Sequence, residues 1–382
     1  MSPSKILYFC SLSFLGGIFF ASLFSISFFK LYFIFLFILA PFVFFKREKF
    51  LILILVFIFF FFGFFKYKKA ISRPTTHSSS ITELEIIKTA KEKTKEKIQK
   101  VFGEKFSPWI LAFLLGERSQ IPKFQKEALR KTGTFHLIAI SGLHFTLFSF
   151  LFLNLFLALG MKRNFALLLV LFISLFYLLL IGLPISAIRA FFMISLFYLA
   201  QIFGRKADSE RSLIFVGAIL NFFDPLLLCH SLSFQLSFLA TFGLVSLYPY
   251  LNFFFKKVPN FLKIKENLLA TLSAQIFILP ILIHYFGVFS LSFLWTNFIL
   301  VSLFPFLIFS SFLVIFISFF SFSLAKFFSP SVTLILEIFE KTINFFSNFP
   351  TFSFPLPFLP FISYFILFSL LIFLKKRFDQ PF

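Results

Sequence analysis

Residues 165–200 read FALLLVLFISLFYLLLIGLPISAIRAFFMISLFYLA, and Arg189 is the one charged residue among them. The apolar runs on either side of it, 164–188 and 190–204, approach the ~20 residues that an α-helix needs to cross a bilayer core. The backbone of a segment at that depth has to satisfy its own hydrogen bonds, which a helix does. This stretch therefore predicts two membrane-spanning helices.

The rest of the chain has the same composition. Phe supplies 76 of the 382 residues and hydrophobic types make up 59%, which exceeds what the core of a water-soluble protein requires. Further apolar runs lie at 6–29, 31–45, 50–65, 137–160, 212–229, 232–255, 268–289, 291–325, 327–348 and 357–374. We predict an all-α fold, a polytopic integral membrane bundle of roughly ten transmembrane helices. Helices are expected to be kinked or interrupted near the prolines within these runs, including Pro184 and Pro280.

The distribution of polar residues predicts three segments. Residues 1–65 are predicted to be N-terminal transmembrane leader helices, and 109–382 to be the main membrane domain. Between them, 66–108 begins as a polar loop and then shows apolar residues such as Ile87 and Ile98 at helical spacing among Lys and Glu. This pattern predicts an amphipathic helix on the membrane surface or on a neighbouring domain.

The net charge and the two cysteines exclude fewer classes of function than the apolar composition does. The formal net charge is +21, from 36 Lys and Arg against 15 Asp and Glu. Basic residues beside membrane helices set topology and attract anionic lipid, and the same field would attract a polyanionic substrate. Cys10 and Cys229 lie far apart in apolar runs, so we expect no disulfide, no metal site and no cofactor.

Gly116, Glu117 and Arg118 end a short apolar stretch that begins at Trp109. The stretch is too brief to span a bilayer, so it predicts a re-entrant or interfacial hairpin. The alternative is an ordinary charged helix end at the water interface.

The sequence HLIAISGLHF at 136–145 places His136, Ser141 and His144 in an apolar run. If the run is helical, Ser141 and His144 share one face, and Gly142 allows close backbone approach. A Ser–His pair suggests nucleophilic catalysis, but acids to orient the histidine are scarce and no nucleophile elbow surrounds the serine. Hydrogen bonding between packed helices and lining of a polar path are the alternatives, and we predict no catalytic residue.

Arg189 follows Gly182 and Pro184 and divides two apolar runs. It is predicted to lie either at a tight interfacial turn or inside the bundle. In the second case its counter-charge would be a phosphate or Glu117, since an unpaired charge at that depth is costly.

The sequence HSLSFQLSFLATFGL at 230–244 predicts a polar stripe on an apolar helix. The residues of this stripe are His230, Ser233, Ser237 and Thr241. Gln235 is predicted to point away from it, and Gln275 and Asn297 are further candidates for an internal polar seam. Association of helices through hydroxyl groups and the wall of a pore both explain such a stripe.

In this order, five stretches resemble the membrane domain of the ComEC family of competence proteins. They are LLGERS (114–119), HLIAISGLHF (136–145), GLPISAIRAFFM (182–193), FQLSFLATFGL (234–244) and the region from AQIFILPILIHYFG at 274 to Asn297. The resemblance covers about residues 109–310. It implies a multi-pass protein of the cell inner (cytoplasmic) membrane, which forms the channel for incoming single-stranded DNA during natural transformation.

Two features of the ComEC family are not matched here. The resemblance implies that full-length members have an OB-like domain joined to the channel, but residues 66–108 are too short and too helical to form one. Many members also carry a C-terminal metallo-β-lactamase-like domain. The histidines of this sequence do not form the HxHxDH cluster of that domain, and no nucleotide-binding loop is present. We therefore expect a channel domain that relies on separate motor and nuclease proteins, or a truncated paralogue with a different cargo.

The sequence-based hypothesis is a non-enzymatic channel whose partners are single-stranded DNA and membrane lipid; the oligomeric state is left open. A transporter of another anionic or amphiphilic cargo, such as a lipid-linked saccharide, is the main alternative, and an intramembrane Ser/His hydrolase is a third. The predicted path residues are Glu117, Arg118, His136, Ser141, His144, Arg189, Ser233, Gln235, Ser237, Gln275 and Asn297. The predicted structural residues are Gly116, Gly142, Gly182, Pro184 and Pro280.

Overall fold

The computed structural model describes residues 3–23, 47–72, 85–258, 264–286, 288–290 and 292–353, together with 363, 364, 366, 367, 369 and 371. Three predicted features lie wholly or mostly outside the described residues. They are the apolar run 31–45, the part of the polar loop at 73–84, and most of the apolar run 357–374.

The predicted all-α fold is confirmed, because the described residues are almost entirely helical. In chain order the helices are α1 (Pro3–Leu23), α2 (Arg47–Ile71), α3 (Glu85–Leu115), α4 (Lys123–Lys131), α5 (Gly142–Ala158), α6 (Arg163–Leu180), α7 (Ile185–Ile202), α8 (Ser209–Phe223), α9 (Leu227–His230), α10 (Leu232–Ser246), α11 (Tyr248–Phe254), α12 (Ile264–Phe286), α13 (Phe293–Phe320) and α14 (Phe322–Ser347). A 3₁₀ turn, Phe135–Leu137, precedes α5. Two short strands, β1 (Val288–Ser290) and β2 (Thr351–Ser353), pair antiparallel.

The chain is a multi-pass membrane protein. Among the described residues, six helices are long and apolar enough to span a bilayer, namely α1, α6, α7, α12, α13 and α14. α10 and α11, bent by 40° relative to each other, would add a seventh span, and α5 is a shorter apolar helix. The total of about ten stays a prediction, because some predicted runs lie outside the described residues.

Helix interruptions occur, but not always where the sequence placed them. Gly103 has φ 65° and ψ −177°, so it separates two helical stretches within α3. The chain breaks between α6 and α7 at the left-handed Gly182 (φ 86°) and Leu183 (φ 56°), and α7 begins after Pro184. In contrast, Pro280 lies inside α12, which continues through it.

The chain divides into two compact units, 1–78 with 206–238 and 79–205 with 239–382, so α10 contributes to both. In the first unit α1 packs directly on α2. An added Cβ at Gly17 would meet the backbone carbonyl of Phe60, and one at Gly63 would meet the carbonyl of Phe14. These two glycines therefore allow the backbones to approach closely, as small residues do between membrane helices.

The second unit is built around the C-terminal stretch of α3. Trp109 and Phe113 are buried there against Phe304 of α13 and Phe339 of α14. The lipid-facing character of the unit shows in large exposed side chains such as Phe172, which a membrane protein tolerates and a soluble one rarely gathers on its surface.

Candidate functional site

The short apolar stretch before Glu117 is enclosed by protein. Every side chain from Trp109 to Leu115 is buried, and the Trp109 indole Nε1 donates to Glu340 Oε1 over 2.6 Å. The helix ends at Gly116 (φ 73°), where the amides of Gly116 and Glu117 donate to the carbonyls of Ala112 and Leu111. A left-handed residue at this position favours glycine, and the turn places Gly116 beside Ile140, whose Cδ1 lies 3.1 Å from an added Cβ.

Glu117 links this turn to residues 85–102 of α3, the amphipathic stretch of that helix. Its Oε1 lies 2.7 Å from Lys95 Nζ and 3.2 Å from Lys91 Nζ. Burial alone raises the pKa of the Glu117 carboxyl, but the hydrogen bonds from Lys95 and Lys91 outweigh it and hold that pKa below its usual range. This part of α3 belongs to the second unit, where its residues Ile98 and Phe102 join the core.

We expect Glu117→Gln to lower the free energy of unfolding by up to about 1 kcal/mol at pH 7, because the ion pairs are partly exposed and screened. A carboxyl whose folded pKa is depressed contributes stability above its unfolded pKa, near 4.3, and loses it as the pH falls through the folded value. The free energy of unfolding, measured in detergent, should therefore decrease in the wild type as the pH falls from 7 to 3. The decrease should be smaller in Glu117→Gln. Glu96→Gln, an exposed change on the same helix, should behave as wild type; identical pH profiles for all three proteins would contradict the assignment.

A basic surface follows the Gly116 turn, and α4 supplies most of it. This surface consists of Arg118, Lys123, Lys126, Arg130 and Lys131. His136 follows it in the 3₁₀ turn, with Nδ1 3.1 Å from the Gly133 carbonyl. α4 buries Ala128 and Leu129. Its residues Lys123, Arg130 and Lys131 are exposed and Lys126 is half-buried, and the acidic Glu127 is also exposed. The guanidinium groups of Arg118 and Arg130 lie 5.9 and 5.2 Å from the Phe135 ring. Sequence reasoning named Arg118 and His136 but missed the lysines of α4, although their helical spacing opposite Ala128 and Leu129 is visible in the sequence.

The Ser141–His144 pair exists, but its geometry differs from the prediction of one shared helical face. α5 begins at Gly142 and Ser141 is its N-cap residue. The Ser141 amide donates to Nδ1 of His144 over 3.1 Å, and Ser141 Oγ lies 3.1 Å from the same nitrogen. Because an amide can only donate, Nδ1 must accept, so the neutral ring carries its proton on Nε2. The imidazole is 2% exposed and packs edge-on against Phe304, and Nε2 has no hydrogen-bond partner among the described residues.

Arg189 is buried within α7, so the interpretation of a residue at a tight turn is wrong. The chain reverses at residues 181–184, and Arg189 lies in the second turn of α7 with 7% of its surface exposed. An added Cβ at Gly142 would lie 3.2 Å from Nη2 of Arg189, so the missing side chain makes room for the guanidinium. Ser186 Oγ donates to the Ile140 carbonyl over 2.7 Å, which fixes α7 against the segment before α5.

These contacts define a polar cluster of Ser141, Gly142, His144, Ser186 and Arg189 in the second unit. Its surroundings are apolar, and the Tyr177 hydroxyl donates to the Leu114 carbonyl over 2.9 Å nearby on α6. Polar groups buried among apolar helices are costly unless they are paired or serve a function, and both hydrogen bonding between packed helices and lining of a polar path fit this cluster. The nature of the counter-charge of Arg189 stays a prediction.

Two other predicted path residues lie in the second unit. Asn297 on α13 is buried, and its Oδ1 has no hydrogen-bond partner in the described part of the chain. Two turns later on α13, Phe304 contacts His144. Gln275 is half-buried on α12.

Ser233, Gln235 and Ser237 belong to the first unit, and the predicted stripe with His230 is wrong in one respect. Helix α9 ends at His230 and α10 starts at Leu232, so His230 is not on the same helix. His230 Nε2 instead lies 2.9 Å from the Tyr67 hydroxyl. Gln235 Nε2 donates to the carbonyls of Leu228 and Cys229, 3.0 Å each, and so satisfies the end of α9. Ser233 is exposed and Ser237 half-buried.

Comparison with known proteins supports the resemblance found in the sequence. The family model described as Competence protein matches residues 113–378, more than half of the chain. The ComE operon protein 3 of Bacillus subtilis (strain 168) is 28% identical over 199 residues, which are 52% of this chain and 25% of that protein. The chain thus spans about a quarter of the length of this relative, and no solved structure matches it. The matched region contains the polar cluster and the basic surface, and the chain belongs to the competence protein family of the ComEC type.

Proposed function

We propose that the chain takes part in DNA uptake during natural transformation, as a channel through which single-stranded DNA crosses the cytoplasmic membrane. Membership of the competence protein family supports the process. The step within that process is inferred from the chemistry of the basic surface and the polar cluster, and the cytoplasmic membrane is what the family resemblance implies.

The basic surface suits the backbone of a nucleic acid. Phosphates attract clustered Lys and Arg through a sequence-independent electrostatic interaction. Phe124 is exposed beside this surface and Phe135 lies under Arg118 and Arg130. Exposed aromatic rings next to basic groups are what a protein needs to stack bases of a single strand without reading its sequence.

The observation that carries the proposal is the burial of Arg189 against Gly142 within an apolar helix. An arginine inside a membrane bundle usually marks a substrate path, and its planar guanidinium binds phosphate oxygens through two parallel hydrogen bonds. Nε2 of His144 supplies a further donor in the same cluster. The segment from Gly133 to Ser141 connects α4 of the basic surface to the start of α5, which carries Gly142 and His144 of the cluster.

The same chemistry would serve another anionic cargo, such as a lipid-linked saccharide, which remains the second candidate. The hydrolase alternative is disfavoured by the hydrogen bond from the Ser141 amide to Nδ1 of His144. That nitrogen is the one next to the serine hydroxyl, and a base already accepting an amide proton is poorly placed to take the hydroxyl proton. We therefore propose a non-enzymatic role, with movement and strand degradation performed by separate motor and nuclease proteins.

Deletion of the gene in its own organism is expected to reduce transformation by several orders of magnitude and to leave DNA bound at the cell surface in a form that external nuclease can degrade. Expression of the full chain from a plasmid should restore protected, internal DNA. Normal transformation of the deletion strain, with a change in surface glycan instead, would overturn the proposal and favour the second candidate.

A further inference from the structure

A groove of about 640 Å³ runs along the amphipathic stretch of α3 in the second unit. Its floor is formed by Phe176 and Leu180 of α6 and Phe319 of α13, and its rim by Ile86, Thr89 and Lys93 of α3. None of these residues belongs to the basic surface or the polar cluster, so the groove requires a separate explanation.

The groove lies near the ends of two of the helices that are apolar enough to span a bilayer. Phe176 and Leu180 belong to the end of α6, and Phe319 to the end of α13, both of which are apolar enough to span the bilayer. α3 crosses these ends and is held there by Lys97, whose Nζ donates to the Ser318 carbonyl over 2.8 Å. The groove is therefore expected to lie at the edge of the hydrocarbon core, where acyl chains meet headgroups.

The floor and rim leave large apolar side chains uncovered. Ile86 is 76% exposed, Phe319 51% and Phe176 42%. An amphipathic helix at a membrane surface turns such residues toward the acyl chains and its lysines toward the headgroups. The groove repeats that arrangement in a concave form that can hold a single chain.

The Lys93 end of the groove favours an anion. Lys93 is exposed and makes no ion pair with any residue that the structure describes, whereas Lys91 and Lys95 on the other side of the helix are bound to Glu117. Glu85 also reaches the groove, but two helical turns away from Lys93. A phosphate would therefore lie at the Lys93 end, within reach of the Thr89 hydroxyl.

We propose that this groove is a binding site for an anionic phospholipid. Its phosphate contacts the Lys93 ammonium and the Thr89 hydroxyl, and one acyl chain lies on Phe176, Leu180 and Phe319. The bound lipid would tie α3 to the ends of α6 and α13. This inference does not depend on the proposed transport of DNA.

The test is native mass spectrometry of the purified full chain in detergent, with dioleoyl phosphatidylglycerol and dioleoyl phosphatidylcholine as probes. The wild type is expected to retain the anionic lipid about fivefold better, and Lys93→Gln to abolish that preference, because one surface lysine contributes about this factor. Lys100→Gln is the matched control, since Lys100 is exposed on the same helix and pairs with Glu96. Phe176→Ala should weaken retention of both lipids.

Several outcomes would overturn the inference. Equal retention of the two lipids by the wild type, or equal effects of Lys93→Gln and Lys100→Gln, would remove the anionic headgroup from the site. Displacement of the lipid by glycerol phosphate alone would remove the acyl chain, and displacement by a single-stranded oligonucleotide would assign the groove to DNA. Retention of no lipid at all would indicate that another segment of protein covers the groove.

Discussion

Gly17→Ala is expected to destabilise the first unit by about 1 to 3 kcal/mol, the usual cost of forcing an extra methyl into a packed interior. The new Cβ would collide with the Phe60 carbonyl, and a backbone atom inside a helix cannot rotate away as a side chain can. α1 and α2 would have to separate, which would also loosen the reciprocal contact of Gly63 with Phe14.

Gly16→Ala provides the matched control, because its added Cβ meets only Phe60 Cδ2 at 4.0 Å. Alanine is a better helix former than glycine by up to about 1 kcal/mol, so this variant should be as stable as wild type or more so. Cys10 is buried in α1, and its rate of labelling by a maleimide in a Cys229→Ser background would report opening of the helix pair. Equal labelling rates for the two alanine variants would refute the close backbone contact.

The membrane helices were predictable because the length of an apolar run reports directly on the solvent around it. The largely apolar residues 164–204 form the two predicted helices, α6 and α7, and the turn between them contains Gly182 and Pro184. The predicted boundary between the two helices at Arg189 was wrong. A charged residue in an apolar run indicates the membrane–water interface only if no other part of the fold makes room for its side chain. Here that room comes from Gly142, 47 positions earlier in the chain, and no local pattern records such a contact.

The site was predictable in its residue types but not in its geometry. Spacing correctly suggested that Ser141 and His144 meet, but a side chain that caps a helix from the N-cap position and one that shares its face have similar spacing. The break between α9 and α10 at Ser231 could not be predicted either, because the spacing of His230, Ser233 and Ser237 also fits one continuous helix. Only the structure shows that Gln235 donates to the carbonyls of Leu228 and Cys229 at the end of α9. Whether the polar residues of the two units line one path stays a prediction.

Arg189→Ala is expected to reduce the uptake of DNA about 100-fold, within the range by which a charged cleft accelerates the passage of an oppositely charged substrate. The substitution removes the guanidinium that lies against Gly142 and leaves the helix former alanine in α7. Arg189→Lys keeps the charge but loses the planar fork, so it should retain partial uptake. Arg189→Gln keeps hydrogen-bond donors without the charge and should resemble alanine.

Arg163→Ala is the control, since Arg163 lies exposed at the start of α6 and donates to Gln201 Oε1 over 2.9 Å. Its uptake should remain close to that of wild type. Membrane levels and thermal unfolding of all variants in detergent separate a loss of transport from a loss of folding.

The most direct measurement is therefore the amount of nuclease-protected, radiolabelled DNA inside cells that carry Arg189→Ala, Arg189→Gln, Arg189→Lys or Arg163→Ala at equal membrane levels. A charged path predicts that uptake falls steeply for alanine and glutamine, partly for lysine and not for the Arg163 variant. Wild-type uptake by stably folded Arg189→Ala and Arg189→Gln would contradict it.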